Sequence, residues 1–205
     1  MTGDLNNVKT DATRRAYHHG DLRAALIAAA AEIIEEAGLD AFSLRAAARR
    51  AGVSPAAPAH HFGDTRRLLT AVAAMGFVEL GDALEVADGP DRRAIVRAQG
   101  LAYLRFAQQR PGLFRLMWRK SVLDVDDPAH FSAARRAFLI LDEAVRGKEA
   151  ALASTGSVSA LAPSIACWSM MHGFVAMVID GAFFARRPEA PRALLEAMLE
   201  HLNVP

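Results

Sequence analysis

The amino-acid sequence predicts an all-α protein with two helical domains, and three observations point to it. Alanine is abundant and runs of β-branched residues are few, which favours helices over strands. Apolar residues recur at intervals of three and four along most of the chain, the spacing of one helix face. Hydrophobic residues make up 52% of the 205 residues, enough to fill a sizeable core. We therefore expect an N-terminal three-helix domain followed by a larger C-terminal helical domain.

The first twenty residues are polar and aperiodic, so we expect residues 1–20 to form a disordered basic arm. Lys9, Arg14 and Arg15 make its end basic. Such an arm is either a solvated tail or a contact to phosphates or a DNA minor groove. A helix is predicted from Asp21 to Ala37 because apolar residues recur along it with helical spacing and a glycine follows it.

The segment from Ser43 to Phe62 reads as two short helices around a tight turn. Ser43 stands at an N-cap position, and Gly52 stands where a residue of positive φ ends a helix. Ser54 then caps a second helix with Pro55 at its first position. This layout is that of a helix-turn-helix, whose second helix enters the DNA major groove. An ordinary helical hairpin is the commoner alternative. The apolar stripe of the first helix consists of Leu44, Ala47, Ala48 and Ala51.

A further helix is predicted from Asp64 or Thr65 to about Leu84, and it completes an N-terminal domain of residues 21–86. Arg66 and Arg67 fall in its first turn, where cations oppose the helix dipole. We expect either a phosphate or a carboxylate of a neighbouring helix to compensate them.

Residues 87–205 form the predicted C-terminal regulatory and dimerisation domain. The polar connector Ala87–Pro90 separates it from the N-terminal domain. The predicted helices span 91–109, 113–118, 128–145, 158–183 and 188–202, with a turn at 124–128 and a loop at 147–156.

The last two helices carry apolar faces that suit a dimer. An apolar helix pair at the chain end can pack on its own copy as a four-helix bundle across a two-fold axis. Core packing within one subunit is the alternative. The candidate interface residues are Ile165, Trp168, His172, Val175, Ile179, Leu195, Met198, Leu199 and Leu202.

Aromatic and methionine side chains of the C-terminal domain could surround an apolar ligand cavity, with His172 as a polar group within it. Residues of these types at helical spacing are more often plain core. The candidate pocket residues are Phe106, Phe114, Met117, Trp118, Phe138, Met171 and Phe174.

Composition limits the chemistry and the compartment. The single cysteine, Cys167, excludes an internal disulfide and a cysteine-based zinc site, which suits a reducing cytoplasm. Residues 158–179 are the most apolar stretch, but polar residues and glycine interrupt them, so we expect a buried helix and no membrane span. The adjacent pair His18 and His19 lacks a nearby carboxylate cluster, so no metal or other cofactor is expected. The formal net charge of only +1 supports nucleic-acid binding weakly.

The span from Asp21 to Leu69 resembles the N-terminal DNA-binding domain of the TetR family of bacterial transcriptional repressors. The order and spacing of its motifs agree along the whole segment. The residues Trp168, His172 and Gly173 are also similar to the W…HG signature of a TetR-type C-terminal domain. The matching N-terminal motifs are AGL, FSLRAAARRAGVS, HHF and DTRRLL.

This resemblance implies a homodimeric transcriptional repressor that binds a palindromic operator in double-stranded DNA. An unidentified small-molecule effector would release it from the operator. Two positions depart from the family pattern, since Ala59 replaces a common aromatic residue and Thr65 replaces a common lysine. Base contacts should therefore be modest, and phosphates should supply much of the affinity. Arg45 is our strongest candidate phosphate contact. The full set of candidate DNA-binding residues is Ser43, Arg45, Arg49, Ser54, Pro55, Ala56, Ala57, Ala59, His60, His61, Thr65 and Arg66.

Two other classes of function compete with a DNA-binding regulator. An enzyme is not expected, because we find no glycine-rich phosphate loop, HExxH or GxSxG motif, and no nucleophile with a partner. A helical ligand-binding or scaffold module with little DNA affinity is the stronger rival. The near-neutral charge and the alanine-rich second motif helix favour it, whereas the full-length resemblance argues against it.

Overall fold

A computed structural model describes residues 6–153, 158–182 and 190–201, with side chains from Leu22 onwards. Every regular element among these residues is helical, which confirms the predicted all-α class. Short 3-10 turns cover Leu39–Ala41, Lys120–Val122 and Val158–Leu161. The helices are α1 (Asn6–Ala37), α2 (Leu44–Arg50), α3 (Ala57–Phe62), α4 (Thr65–Glu85), α5 (Arg92–Gln109), α6 (Pro111–Met117), α7 (Pro128–Arg146), α8 (Lys148–Ala153), α9 (Ala162–Ile179) and α10 (Ala190–Glu200).

Helix α1 begins at Asn6, within the segment predicted as a disordered arm. The predicted helix from Asp21 to Ala37 is therefore the second half of a longer helix. No proline interrupts residues 6–20, and extending an existing helix adds one hydrogen bond per ordered residue. Lys9, Arg14 and Arg15 accordingly lie on α1.

Local signals in the sequence place the starts of α2 and α4 correctly. The Ser43 hydroxyl accepts a hydrogen bond from Ala46 N at 3.1 Å, as an N-cap does. The Asp64 carboxylate caps α4 by accepting from Arg67 N at 2.9 Å. Gly52 has φ of 69°, the left-handed conformation that glycine adopts most readily. These features define the starts of α2 and α4 and the turn between α2 and α3.

Helix α4 lies at the centre of the molecule and joins its two parts. It packs along α7 and also contacts α1, α3, α5 and α6. Leu68, Val72 and Leu80 on α4 are fully buried. One continuous apolar core therefore runs from Leu26 in α1 to Leu199 in α10.

The C-terminal part differs from the sequence prediction in three places. Residues 148–153 form α8 where a loop was predicted, because KEAALA consists of strong helix formers. Helix α9 begins at Ala162 with a proline in its first turn and ends at Ile179, so it is shorter than predicted. Helix α6 begins at Pro111. We expected this proline only to end the preceding helix, but it occupies a first-turn position of α6, where proline is tolerated.

The segment Val158–Ile179 is the one stretch within the described ranges that is long and apolar enough to cross a membrane by length and composition. Only 28% of its most apolar window is buried within the subunit. A core helix of a non-membrane protein passes the same test, so this observation alone is weak evidence for a span.

Candidate nucleic-acid interface

The second helix of the motif, α3, begins later than predicted. The sequence placed its cap at Ser54 and its first position at Pro55, but the helix starts at Ala57. Pro58 has no N–H to donate to the Ser54 carbonyl, so the helical hydrogen-bond pattern cannot begin there. Instead Ala57 N donates to Ser54 O at 3.0 Å in a turn, and His60 N donates to Ala56 O at 3.0 Å.

Small and apolar residues hold α2, α3 and α1 together. Ala47 and Ala48 are fully buried, which lets the two motif helices approach closely. Phe62 closes the end of α3 against the core, and the Arg23 guanidinium lies 4.9 Å from the centre of its ring. Buried residues of α2 and the buried Phe62 at the end of α3 thus hold both helices of the helix-turn-helix against the core.

The arginines of α2 divide into one that is paired and two that are not. Arg50 forms ion pairs with Glu36 at 2.5 Å and Glu32 at 3.6 Å on α1. Hydrogen bonding to Glu36 raises the pKa of Arg50 above its usual value. Arg45 and Arg49 are exposed and make no ion pair within the described part of the chain. These two guanidiniums are therefore available to a ligand outside the subunit.

The predicted DNA-binding residues form a mostly exposed surface around α3. The Ser43 hydroxyl is already committed to its cap. The rings of His60 and His61 pack edge to face with centres 5.5 Å apart; His60 is exposed and His61 is half-buried. Ala57 is half-buried. The exposed members of the set are Ser43, Arg45, Arg49, Ser54, Pro55, Ala56, Ala59, His60, Thr65 and Arg66.

Arg66 has a partner that the sequence did not suggest. Its Nη2 donates to the main-chain carbonyl of Leu123 at 2.5 Å, rather than to a carboxylate of a neighbouring helix. The Asp64 cap supplies the negative charge at the start of α4. Arg66 therefore links α4 to the turn after α6.

Two further long-range contacts connect the helix-turn-helix part to the rest of the chain, and sequence reasoning missed both. The Glu35 carboxylate of α1 accepts hydrogen bonds from Gly112 N and Leu113 N at 2.9 Å each. The Thr70 hydroxyl of α4 accepts from Asp124 N at 2.9 Å. No pattern in the sequence marks these partners, which lie 54 to 78 residues apart.

The predicted ligand-pocket residues lie in and around a layer of packed aromatic rings. This aromatic layer consists of Tyr103, Phe114, Trp118, Trp168 and His172. The ring centres of Trp118 and His172 are 4.3 Å apart, and the Tyr103 hydroxyl is 2.9 Å from His172 Nδ1. Burial lowers the pKa of His172 and raises that of Tyr103. The Trp118 indole N–H is buried without a partner in the described residues. Trp118 and Phe138 are half-buried, and the buried residues of the set are Phe106, Phe114, Met117, Met171 and Phe174.

Three predicted dimer residues must be corrected. Val175, Leu195 and Leu199 are buried in the core of their own subunit and cannot meet a second copy directly. Helical periodicity identified an apolar face but could not tell which neighbour covers it. Leu202 lies outside the described residues. Of the others, Ile165 is exposed, and Trp168, His172, Ile179 and Met198 are half-buried.

Family models match both parts of the chain. Residues 26–72 match the model described as bacterial regulatory proteins, tetR family. Residues 96–202 match the model described as tetracyclin repressor-like, C-terminal domain. No curated protein sequence matches the chain.

Solved structures repeat the same fold over most of their length. A protein with unknown function from Rhodococcus sp. RHA1 is 31% identical, with a TM-score of 0.71, and the match covers 89% of this chain and 95% of that one. A TetR family transcription regulator from Marinobacter aquaeolei VT8 is 22% identical, with a TM-score of 0.62 and coverage of 91% and 96%. The TetR family transcriptional regulator PfmR from Thermus thermophilus is 21% identical, with a TM-score of 0.60 and coverage of 85% and 94%.

Proposed function

We propose, since this chain belongs to the TetR family of bacterial regulatory proteins, that it is a cytoplasmic, homodimeric repressor released from its operator by a small molecule. Proteins of this family are DNA-binding transcriptional regulators rather than enzymes. Homodimerisation, repression, the palindromic operator and release by an effector go beyond family membership and are our proposals.

The observation that carries the proposal is the contrast among the α2 arginines. Arg50 is neutralised by two glutamates, whereas Arg45 and Arg49 remain exposed beside α3. In our account these two guanidiniums bind phosphates while α3 lies in the major groove. The methyl groups of Ala56 and Ala59 then contact thymine methyls, and His60 or His61 reaches a base edge or a phosphate.

The apolar surface of α9 supports a homodimer. Ile165 and Met177 on α9 are 49% and 41% exposed in the single subunit, and Leu194 on α10 is 41% exposed. We propose that a second copy covers exposed apolar side chains of these two helices. A two-fold dimer would place two copies of α3 roughly 34–36 Å apart, or a multiple of that distance, on a palindromic operator.

The aromatic layer is the proposed effector site. The buried Trp118 indole N–H is a donor that still lacks a partner in the described part of the subunit, and a ligand carbonyl could accept from it. An effector that wedges Trp118 away from His172 would shift α6, and α6 is bonded to α1 through Glu35. The effector acts only through its different affinity for the DNA-bound and released arrangements.

Selection of bound fragments from random DNA tests the DNA-binding part of this proposal. The full chain is incubated with a random duplex library at moderate salt, and bound DNA is amplified and sequenced over several rounds. We expect enrichment of one motif with two-fold symmetry. A library that stays random would instead support a helical ligand-binding or scaffold module, which the net charge of +1 and the alanine-rich α3 favour.

A further inference from the structure

A cleft separates the helix-turn-helix part of the chain from the turn before α7, and its walls carry opposite charges. The cavity measures about 410 Å³, within the usual size range of small-molecule sites. Arg23 of α1 and Arg67 of α4 line one wall. Asp124, Asp126 and Asp127 line the other wall. The aromatic layer is not part of this lining, so the cleft is a separate cavity.

These charges do not neutralise one another across the cleft. Arg67, Asp124 and Asp126 make no ion pair with any residue that the structure describes. Arg23 is held over the Phe62 ring instead of reaching a carboxylate. Two cations and three anions therefore face the same small volume without direct pairing. One small molecule that carries both a positive and a negative charge can pair with both kinds of side chain.

The acidic wall is fixed in place by main-chain contacts. The Thr70 hydroxyl accepts from Asp124 N at 2.9 Å and donates to the Arg66 carbonyl at 2.8 Å. Asp127 Oδ1 accepts from Ala129 N and His130 N at 3.0 Å each, which caps α7. The Arg66 side chain adds its hydrogen bond to Leu123 O. Because the wall is already ordered, a ligand would lose little binding free energy to ordering it.

We propose that this cleft binds a small zwitterion of amino-acid size, whose carboxylate pairs with Arg67 and whose ammonium group pairs with Asp126. A simple anion would face three carboxylates, and a simple cation would face two guanidiniums. A zwitterion avoids both penalties because each of its charges meets the wall of opposite sign. The bound molecule would contact both α4 and the turn before α7, so it would fix the DNA-binding part relative to the regulatory part.

Calorimetric titration of the full chain, without DNA, tests this site independently of the proposed repressor function. The probes are the twenty free L-amino acids and glycylglycine. We expect at least one to bind, and we expect its N-acetyl and amide derivatives, which each lack one charge, to bind about tenfold more weakly.

Two single variants locate the binding in the cleft. Arg67→Gln and Asp126→Asn should each weaken binding of the same probe by about tenfold, because each removes one charged partner. Arg105→Gln and Asp40→Asn change exposed charges that lie outside the lining and should leave the affinity unchanged. Circular dichroism melting of each variant confirms that it is folded.

Three results would overturn the proposal. The first is that no probe binds. The second is that both cleft variants bind the probe as tightly as the parent chain. The third is that the N-acetyl derivative binds as tightly as the free amino acid, which would make the cleft an anion site. DNA binding could persist in all three cases, so failure here leaves the repressor proposal standing.

Discussion

The Glu35 carboxylate at the end of α1 accepts a hydrogen bond from Gly112 N at the start of α6, at 2.9 Å. A second bond from Leu113 N reaches the other carboxylate oxygen at the same distance. A Cβ atom at Gly112 would lie 2.5 Å from the Ile34 carbonyl oxygen, so the two helices meet too closely for any side chain there. We therefore expect a movement of α6 to be transmitted to α1.

Glu35→Gln should weaken this connection. The amide has one acceptor oxygen, so only one of the two N–H groups keeps its partner, and the negative charge is lost. We expect the free energy of unfolding to fall by about 1.5–3 kcal/mol, the range for a hydrogen bond to a charged group. Urea denaturation measures it. Glu149→Gln on the exposed surface of α8 is the control, and an equal effect of both substitutions would contradict the assignment.

Arg45→Ala should weaken binding to every DNA sequence alike, because a phosphate contact carries no sequence information. The slope of log affinity against log salt concentration should become shallower by about one unit. Anisotropy titrations at several salt concentrations measure both effects. Arg105→Ala, an exposed arginine on α5, is the matched control. An unchanged slope for Arg45→Ala would exclude Arg45 as a phosphate contact.

The half-buried His172 of the aromatic layer should make the stability of the fold depend on pH. Burial lowers the pKa of His172 in the folded chain, so its neutral form is favoured there. The associated stability is present above the unfolded pKa of about 6.5 and is lost as pH falls. We expect the free energy of unfolding to decrease between pH 7 and pH 5. Burial also lowers the pKa of His130, which adds in the same direction.

His172→Gln separates the two histidines. The variant should lose less stability than the parent between pH 7 and pH 5, as measured by denaturation at each pH. Arg105→Gln, which changes an exposed residue of α5 and leaves every histidine in place, should follow the parent curve. If His172→Gln also follows the parent curve, His172 does not contribute to the pH dependence.

Ile165→Glu should dissociate the dimer. The substitution places a charge at an exposed apolar position of α9 that we assign to the two-fold interface. Sedimentation should show the parent chain as a dimer and the variant as a folded monomer, with weaker binding to a two-fold operator. Val86→Glu changes a more exposed apolar residue at the end of α4, outside α9 and α10, and should remain dimeric. A dimeric Ile165→Glu variant would place the interface elsewhere.

Sequence reasoning succeeded where the physical cause is local. A cap needs a side-chain acceptor within three residues of a free N–H, so Ser43 and Asp64 were recognisable before the fold was known. The start of α3 lies later than predicted although its cause is also local, because Pro58 has no N–H to donate to the Ser54 carbonyl.

Contacts between segments that are distant in sequence could not be predicted from the sequence. Arg66 was recognised as a cation needing compensation, but nothing in its neighbourhood indicates the Leu123 carbonyl 57 residues away. Periodicity likewise placed Val175 and Ile165 together on apolar α9, yet one is buried in its own core and the other is exposed. The three-dimensional arrangement alone assigns each apolar side chain to its neighbour.

The most direct test of the central claim is a fluorescence-anisotropy titration on the DNA upstream of this protein's own coding region. It is run at two salt concentrations, with scrambled DNA of the same composition as the control. We predict tight binding to the upstream DNA that weakens as salt rises and clearly exceeds binding to scrambled DNA. Equal, weak binding to both duplexes, together with no enriched motif from random DNA, would contradict the account of this chain as a sequence-specific DNA-binding regulator.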